Sequence, residues 1–159
     1  MARSGGGMAA HEANVVTRTA GSEAERIRMF SDYWVGKCRG ERIPSFREIL
    51  PEDVFQLLPN LVVWRVVDQG ADFVCRIVSQ DLNDHYGAPQ TGMKLSAMIA
   101  ANPSIAIFAD NFRRCVHSRR PYLAIDHFLG YFGTPKKTVG IVAPLADDGY
   151  AITDVICCS

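Results

Sequence analysis

The stretch Leu61-Val62-Val63-Trp64-Arg65-Val66-Val67 constrains the fold more than any other part of the chain. Its β-branched and aromatic residues predict a strand. Successive side chains of a strand point to opposite faces, and here both faces are apolar apart from Arg65, so both need cover. The remaining sequence must supply those layers. A chain of 159 residues, 48% of them hydrophobic, is long enough to do so in one domain.

Phe73-Val74-Cys75-Arg76-Ile77-Val78 reads as a second strand, joined to the first through the turn residues Asp68-Gln69-Gly70-Ala71-Asp72. Strict alternation sends Phe73, Cys75 and Ile77 to the core and Val74, Arg76 and Val78 outward. Before this hairpin, Ile27, Phe30, Trp34 and Cys38 recur at steps of three or four and predict a helix ending near Gly40. Ser22 and Glu25 have the spacing of a capping box at its start. Short helices are expected over 45–50 and 52–58, the latter with Pro51 at its first position and Pro59 just beyond it. After the hairpin a helical piece spans 80–86, stopped by Gly87, and another begins at Leu95. Asn102-Pro103 starts a longer helix to Ser118 whose apolar stripe is Ile105, Phe108, Phe112, Cys115 and Val116. Three strands follow, over 122–129, 138–145 and 150–157, the last two joined by Ala146-Asp147-Asp148-Gly149.

Several function classes lack support in the composition. Lys plus Arg equals Asp plus Glu at 17 each, so neither nucleic acid nor an anionic membrane is expected as a partner. Arg113, Arg114, Arg119 and Arg120 are the place to look for a local basic patch. The five cysteines include no CxxC pair and read as free thiols in a reducing compartment. No apolar run has the length of a membrane span, and residues 1–20 lack the apolar core of a signal peptide, so the expected location is cytoplasmic. The expected organisation is a disordered tail over 1–20, a helical extension over 21–59 and a core domain over 60–159.

The order of elements, with Tyr33-Trp34, Arg42-Ile43-Pro44-Ser45, Leu57-Leu58-Pro59-Asn60-Leu61, Phe73 to Val78, Leu82 to Gly87, Thr91-Gly92, Arg119-Arg120-Pro121-Tyr122 and Ala143-Pro144-Leu145 before Asp147-Asp148-Gly149, resembles the PAS superfamily. In its details it is similar to a bacterial subfamily in which one PAS domain nearly fills the chain. The resemblance covers about residues 27–157. It implies an α+β fold: a five-stranded antiparallel sheet with helices over one face, and here an extra N-terminal helix. It implies a sensory or protein-interaction role in signalling, without enzyme activity and without a covalent output domain. It also implies a homodimer, a signalling protein as a further partner, and a small-molecule ligand between sheet and helices.

The pocket expected from this resemblance is lined by Cys75, Ile77, Leu82, Tyr86, Phe108, Phe112, His127 and Ile141, with Tyr86 and His127 as polar handles. The competing expectation is that these side chains simply fill the core. Ile27, Phe30 and Trp34 are the expected dimer or partner surface, unless they cover the sheet of their own chain. No cofactor is required. Cys75-Arg76-Ile77-Val78-Ser79-Gln80 mimics part of the flavin-photosensor motif, but Val74 stands where that motif has Asn, and the segment reads as a strand. Haem would need an axial histidine in the pocket, and the four histidines are His11, His85, His117 and His127. Catalysis has little support: Asp126 and His127 are strand neighbours on opposite faces, and no nucleophile elbow or phosphate loop occurs. The enzyme alternative is a cone-shaped α+β fold like ketosteroid isomerase, with Asp126 or Asp154 as a proton-transferring carboxylate. Adjacency of the first and last strands would favour PAS over that fold.

Overall fold

The computed structural model describes residues 23–159. The tail, Ser22 and His11 lie outside the described residues. A helix over 23–37 (α1) leads, followed by 3-10 turns at Phe46–Glu48 and Phe55–Asn60. Strands β1 (Leu61–Val67) and β2 (Asp72–Val78) form a hairpin. Helices α2 (Gln80–Tyr86), α3 (Leu95–Ala101) and α4 (Ala106–Ser118) come next, and β3 (Tyr122–Leu129), β4 (Pro135–Leu145) and β5 (Asp154–Cys158) complete the chain. All neighbouring strands are antiparallel, in the order β2-β1-β5-β4-β3. The first and last strands are therefore adjacent, the arrangement that separates PAS from the cone fold.

Local chemistry sets most boundaries. Ser79 caps α2 by accepting from the Leu82 N–H at 3.2 Å. Gly87 ends that helix at φ +87°, donating to the Asn83 carbonyl, and a Cβ there would also strike Tyr131 at 2.9 Å. The helix expected over 52–58 is instead a 3-10 turn shifted to Phe55–Asn60. A short segment between Pro51 and Pro59 cannot propagate an α-helix, because nucleation is costly and proline disfavours α geometry in the residue before it. The last strand starts at Asp154 rather than Tyr150. The Asp148 carboxylate accepts from the N–H groups of Tyr150 and Ala151, both at 2.8 Å, and holds that stretch as a turn.

Both faces of the sheet are covered. On the inner face Val62, Trp64, Phe73, Cys75 and Val155 pack under the helices with Leu95, Ile105 and Phe112. On the outer face Leu61, Val63, Ala143, Leu145 and Ile156 pack under α1 and the segment that follows it. Phe30 is fully buried there and Trp34 nearly so, and Trp34 Nε1 donates to the Pro144 carbonyl at 2.9 Å. Ile27 packs at the edge of the same cluster. The expected partner surface of Ile27, Phe30 and Trp34 is thus corrected: these side chains cover the sheet of their own chain. Their burial removes apolar area from water at roughly 1.5–3 kcal/mol each.

Ile77 is a second correction. Trp64 pairs with Cys75 and Val63 with Ile77, so Arg76 is an unpaired extra residue, a β-bulge. One inserted residue reverses the alternation beyond it. Ile77 therefore faces outward beside Val63 and is 46% exposed, while Val78 packs against the inner cluster. The bulge sends Arg76 across the outer face, where its guanidinium lies 4.1 Å from the Phe46 ring centroid and 3.4 Å from Asp154. Arg65 grips the fully buried Asp154 with two hydrogen bonds, at 3.0 and 3.1 Å.

Two predictions follow from the outer face. Arg65→Ala leaves a buried carboxylate with only the longer Arg76 contact, and should cost about 2–4 kcal/mol in urea unfolding. Arg76→Ala should cost clearly less, and the reverse order would show that Arg65 is not the main counter-charge. Glu48 accepts from Arg42 at 3.1 Å and from the Ser45 N–H at 2.8 Å; the guanidinium first, then the amide, pull its carboxyl down to about 2 from an ordinary 4.5. A lowered folded value stabilises above pH 4.5 and is lost as pH falls toward 2. With the side chain 36% exposed, solvent trims the effect. Glu48→Gln should therefore cost about 1 kcal/mol at pH 7, and the difference from the parent should vanish in melts near pH 2.

Candidate functional site

A cavity of ≈ 200 Å³ lies between the inner face of the sheet and helices α2–α4. Small residues make the room. Ala124 on β3 pairs with Gly140 on β4, and both line the space. A Cβ at position 140 would come within 2.8 Å of the Cys158 carbonyl, so the backbone packing there admits only glycine. Around this opening the walls are apolar: Trp64, Met98, Ile105, Phe112 and Val142 among them. Tyr86, Phe108 and Phe128 form one end, with ring centroids 5.1–5.9 Å apart in tilted and edge-on pairs.

Polar groups interrupt this wall at a few points. Asn111 Nδ2 donates to Asp126 Oδ2 at 2.8 Å, and both residues are more than nine-tenths buried. A carboxylate has about four acceptor sites, and one is used here. Gln90 is 2% exposed and its Nε2 has no partner among the described residues. The Thr138 hydroxyl is buried beside the Tyr86 hydroxyl. An amide such as that of Gln90 costs about 1–3 kcal/mol when left unpaired in a folded interior. Burial pushes the Tyr86 hydroxyl well above its ordinary value, and the adjoining Thr138 hydroxyl offsets this only in part.

Local folding explains why these residues converge. Asn111 lies three residues after Phe108 and four before Cys115, so it sits on the apolar stripe of α4 rather than its polar face. On β3 the inner residues are Ala124, Asp126 and Phe128, and Asp126 pairs across with Thr138. Gln90 is fixed by its backbone, whose N–H donates to Asn83 Oδ1 and whose carbonyl accepts from Met93.

Of the residues expected to line a pocket, Tyr86, Phe108 and Phe112 lie on the cavity wall. Cys75 and Leu82 are buried in the same inner cluster but do not line the space. Ile141 adjoins the cavity, yet alternation places its side chain in the outer cluster. Ile77 belongs to the outer face through the bulge. His127 must also be corrected: it shares a face with Leu123, Ile125 and Leu129 as expected, but that face is the exposed one, and Asp126 points inward instead. His85, His117 and His127 all lie off the cavity wall. Burial, and then Lys136, lower the His85 value. Sequence reasoning missed Gln90, Asn111 and Thr138. A polar residue on the helical stripe and the small pair Ala124 and Gly140 were the available signals. Gln90 had none, since it sits in a loop.

No family model matches the chain, and no curated protein matches it. Solved structures do. A light-oxygen-voltage domain from a study of a flavin analogue aligns at TM-score 0.52 with 10% identity, over 67% of this chain and 79% of that one. A light-oxygen-voltage protein of Rhodobacter sphaeroides aligns at TM-score 0.48 and 9% identity over 69% of this chain, which spans 66% of that protein, just under two thirds of its length. A PAS domain of a protein from Colwellia psychrerythraea aligns at TM-score 0.49 and 10% identity, over 67% of this chain and 91% of that one. What identities this low leave in common is the path of the backbone, and that path, with the first strand lying beside the last and the helices gathered over one face, is the PAS fold.

Proposed function

We propose that the chain is a signalling domain that senses a small molecule in the cavity between sheet and helices, and passes the signal on by protein contact rather than by chemistry of its own. The observation that carries this is the buried polar set around the apolar cavity, Asn111 and Asp126 together with Gln90, whose Nε2 is unpartnered among the described residues. A core that only holds the fold satisfies its donors or replaces them with apolar atoms. A few polar groups set among apolar walls are the anatomy of a ligand site.

The neighbours named for light sensing raise flavin. Cys75, which mimics part of the photosensor motif, lies off the cavity wall, and burial pushes its thiol up to about 11. That motif has no access to a flavin held in this space. Haem fits no better, since the described histidines lie off the wall.

Strand β3 offers a route outward. Its inner residues Ala124, Asp126 and Phe128 meet the cavity, and its outer residues Leu123, Ile125 and Leu129 are 57%, 59% and 44% exposed. With α1 engaged on its own sheet, this row supports a second copy of the chain as the partner, and an event in the cavity reaches it through one strand.

Ala124→Leu fills the space with side chain, at a cost of about 1–3 kcal/mol in overpacking. Native mass spectrometry on the full chain should show a mass excess in the parent that is lost on denaturation, and at least a tenfold lower occupancy in a folded Ala124→Leu variant. A parent chain that neither carries nor takes up a small molecule would sink the proposal. For the partner, Ile125→Glu should convert a dimer to a monomer in size-exclusion chromatography with light scattering. A parent that is monomeric at high concentration, or a dimer indifferent to the change, argues against this face.

A further inference from the structure

We propose that the cavity takes a single-ring organic molecule, not an anion, that presents a hydrogen-bond acceptor to Gln90 and a donor to Asp126. This rests on the reading of the cavity as a ligand site and adds the chemistry of the occupant.

Size sets the first limit. An apolar engineered cavity of about 150 Å³ holds benzene, so ≈ 200 Å³ accommodates one ring with small substituents. The walls around Phe108, Phe112 and Phe128 present ring edges and faces to a flat apolar body.

Charge sets the second. No lysine or arginine is among the residues lining the cavity, and the charged side chain that is there is the acid Asp126. A carboxylate or phosphate on the occupant would be stripped of water with no counter-charge. This excludes organic acids and phosphorylated compounds.

Hydrogen bonding sets the third. Gln90 Nε2 is a donor without an acceptor. Asp126 keeps acceptor capacity beyond the bond from Asn111. The complementary molecule carries a carbonyl or similar acceptor and a hydroxyl or amino donor on one ring. Hydroxylated or amino-substituted aromatic ketones and amides are of this class.

The test is a four-compound series on the full chain by calorimetry. 4-Hydroxyacetophenone offers both groups, 4-methylacetophenone the acceptor, 4-ethylphenol the donor and 4-ethyltoluene neither. The first should bind at least tenfold more tightly than the last, with the other two between, and 4-hydroxybenzoate should bind more weakly than any compound bearing one of the two groups. Gln90→Leu should erase the gain from the carbonyl, and Asp126→Asn should shrink the gain from the hydroxyl. If the four neutral compounds bind alike and Ala124→Leu blocks them all, the inference about class fails while the ligand-site reading stands. If none binds, the inference about class fails, and native mass spectrometry of the parent chain decides the ligand-site reading. If the benzoate binds most tightly, the charge argument is wrong. Should either variant unfold, the ranking on the parent chain decides alone.

Discussion

Strand β1 depends on being apolar on two faces, and the rest of the molecule is arranged around that requirement. Trp64 and Val62 need cover on one side, Leu61 and Val63 on the other. The helices after the first hairpin supply the inner layer, and α1 with the turns that follow it supplies the outer one. Neither layer is optional, because a half-covered β1 would leave a wide apolar strip in water. This is why Phe30 and Trp34, which looked available for a partner, are spent within the chain. Trp34 adds direction to that contact, since its indole N–H reaches the Pro144 carbonyl and fixes where α1 crosses the sheet.

Arg65, the one charge on that strand, would spoil the outer layer if left alone. The structure absorbs it by burying Asp154 on the neighbouring strand and bringing Arg76 in through a bulge. The bulge has a second effect. By reversing the alternation of β2 it takes Ile77 off the inner face and puts Val78 there, nearer the end of the strand and the start of α2. Electrostatics on one face and packing on the other are thus settled by the same extra residue.

Much of this was legible in the chain. The helix over 80–86 and the strand over 122–129 could be drawn from their ends, because Gly87 and the run of alternating residues are strong local signals. The order of strands in the sheet entered through the family resemblance. What escaped was whatever depended on a partner distant in sequence. Periodicity cannot reveal a bulge, since the missing opposite residue belongs to another strand, so Ile77 was placed on the wrong face. His127 was assigned to the correct row of β3 and the wrong side, because alternation gives two rows without saying which one faces the helices. The cavity was the least visible feature. It is made by the small side chain of Ala124, and by loop residue Gln90, whose position is set by hydrogen bonds to Asn83 and Met93.

That last point bears on why the polar groups of the cavity are worth their cost. An interior that needed only stability could carry leucine at 90 with little change in shape, and avoid an unpaired group. Asn111 and Asp126 differ in kind, since they satisfy one another and could persist as a structural pair. Had the pair stood alone, a filled core with one buried polar contact would explain it. Gln90 meets the same space from a loop, and its Nε2 answers neither of them. Groups that converge on a space without meeting each other are arranged around something that would sit between them, and the strand that carries Asp126 toward that space carries Ile125 away from it.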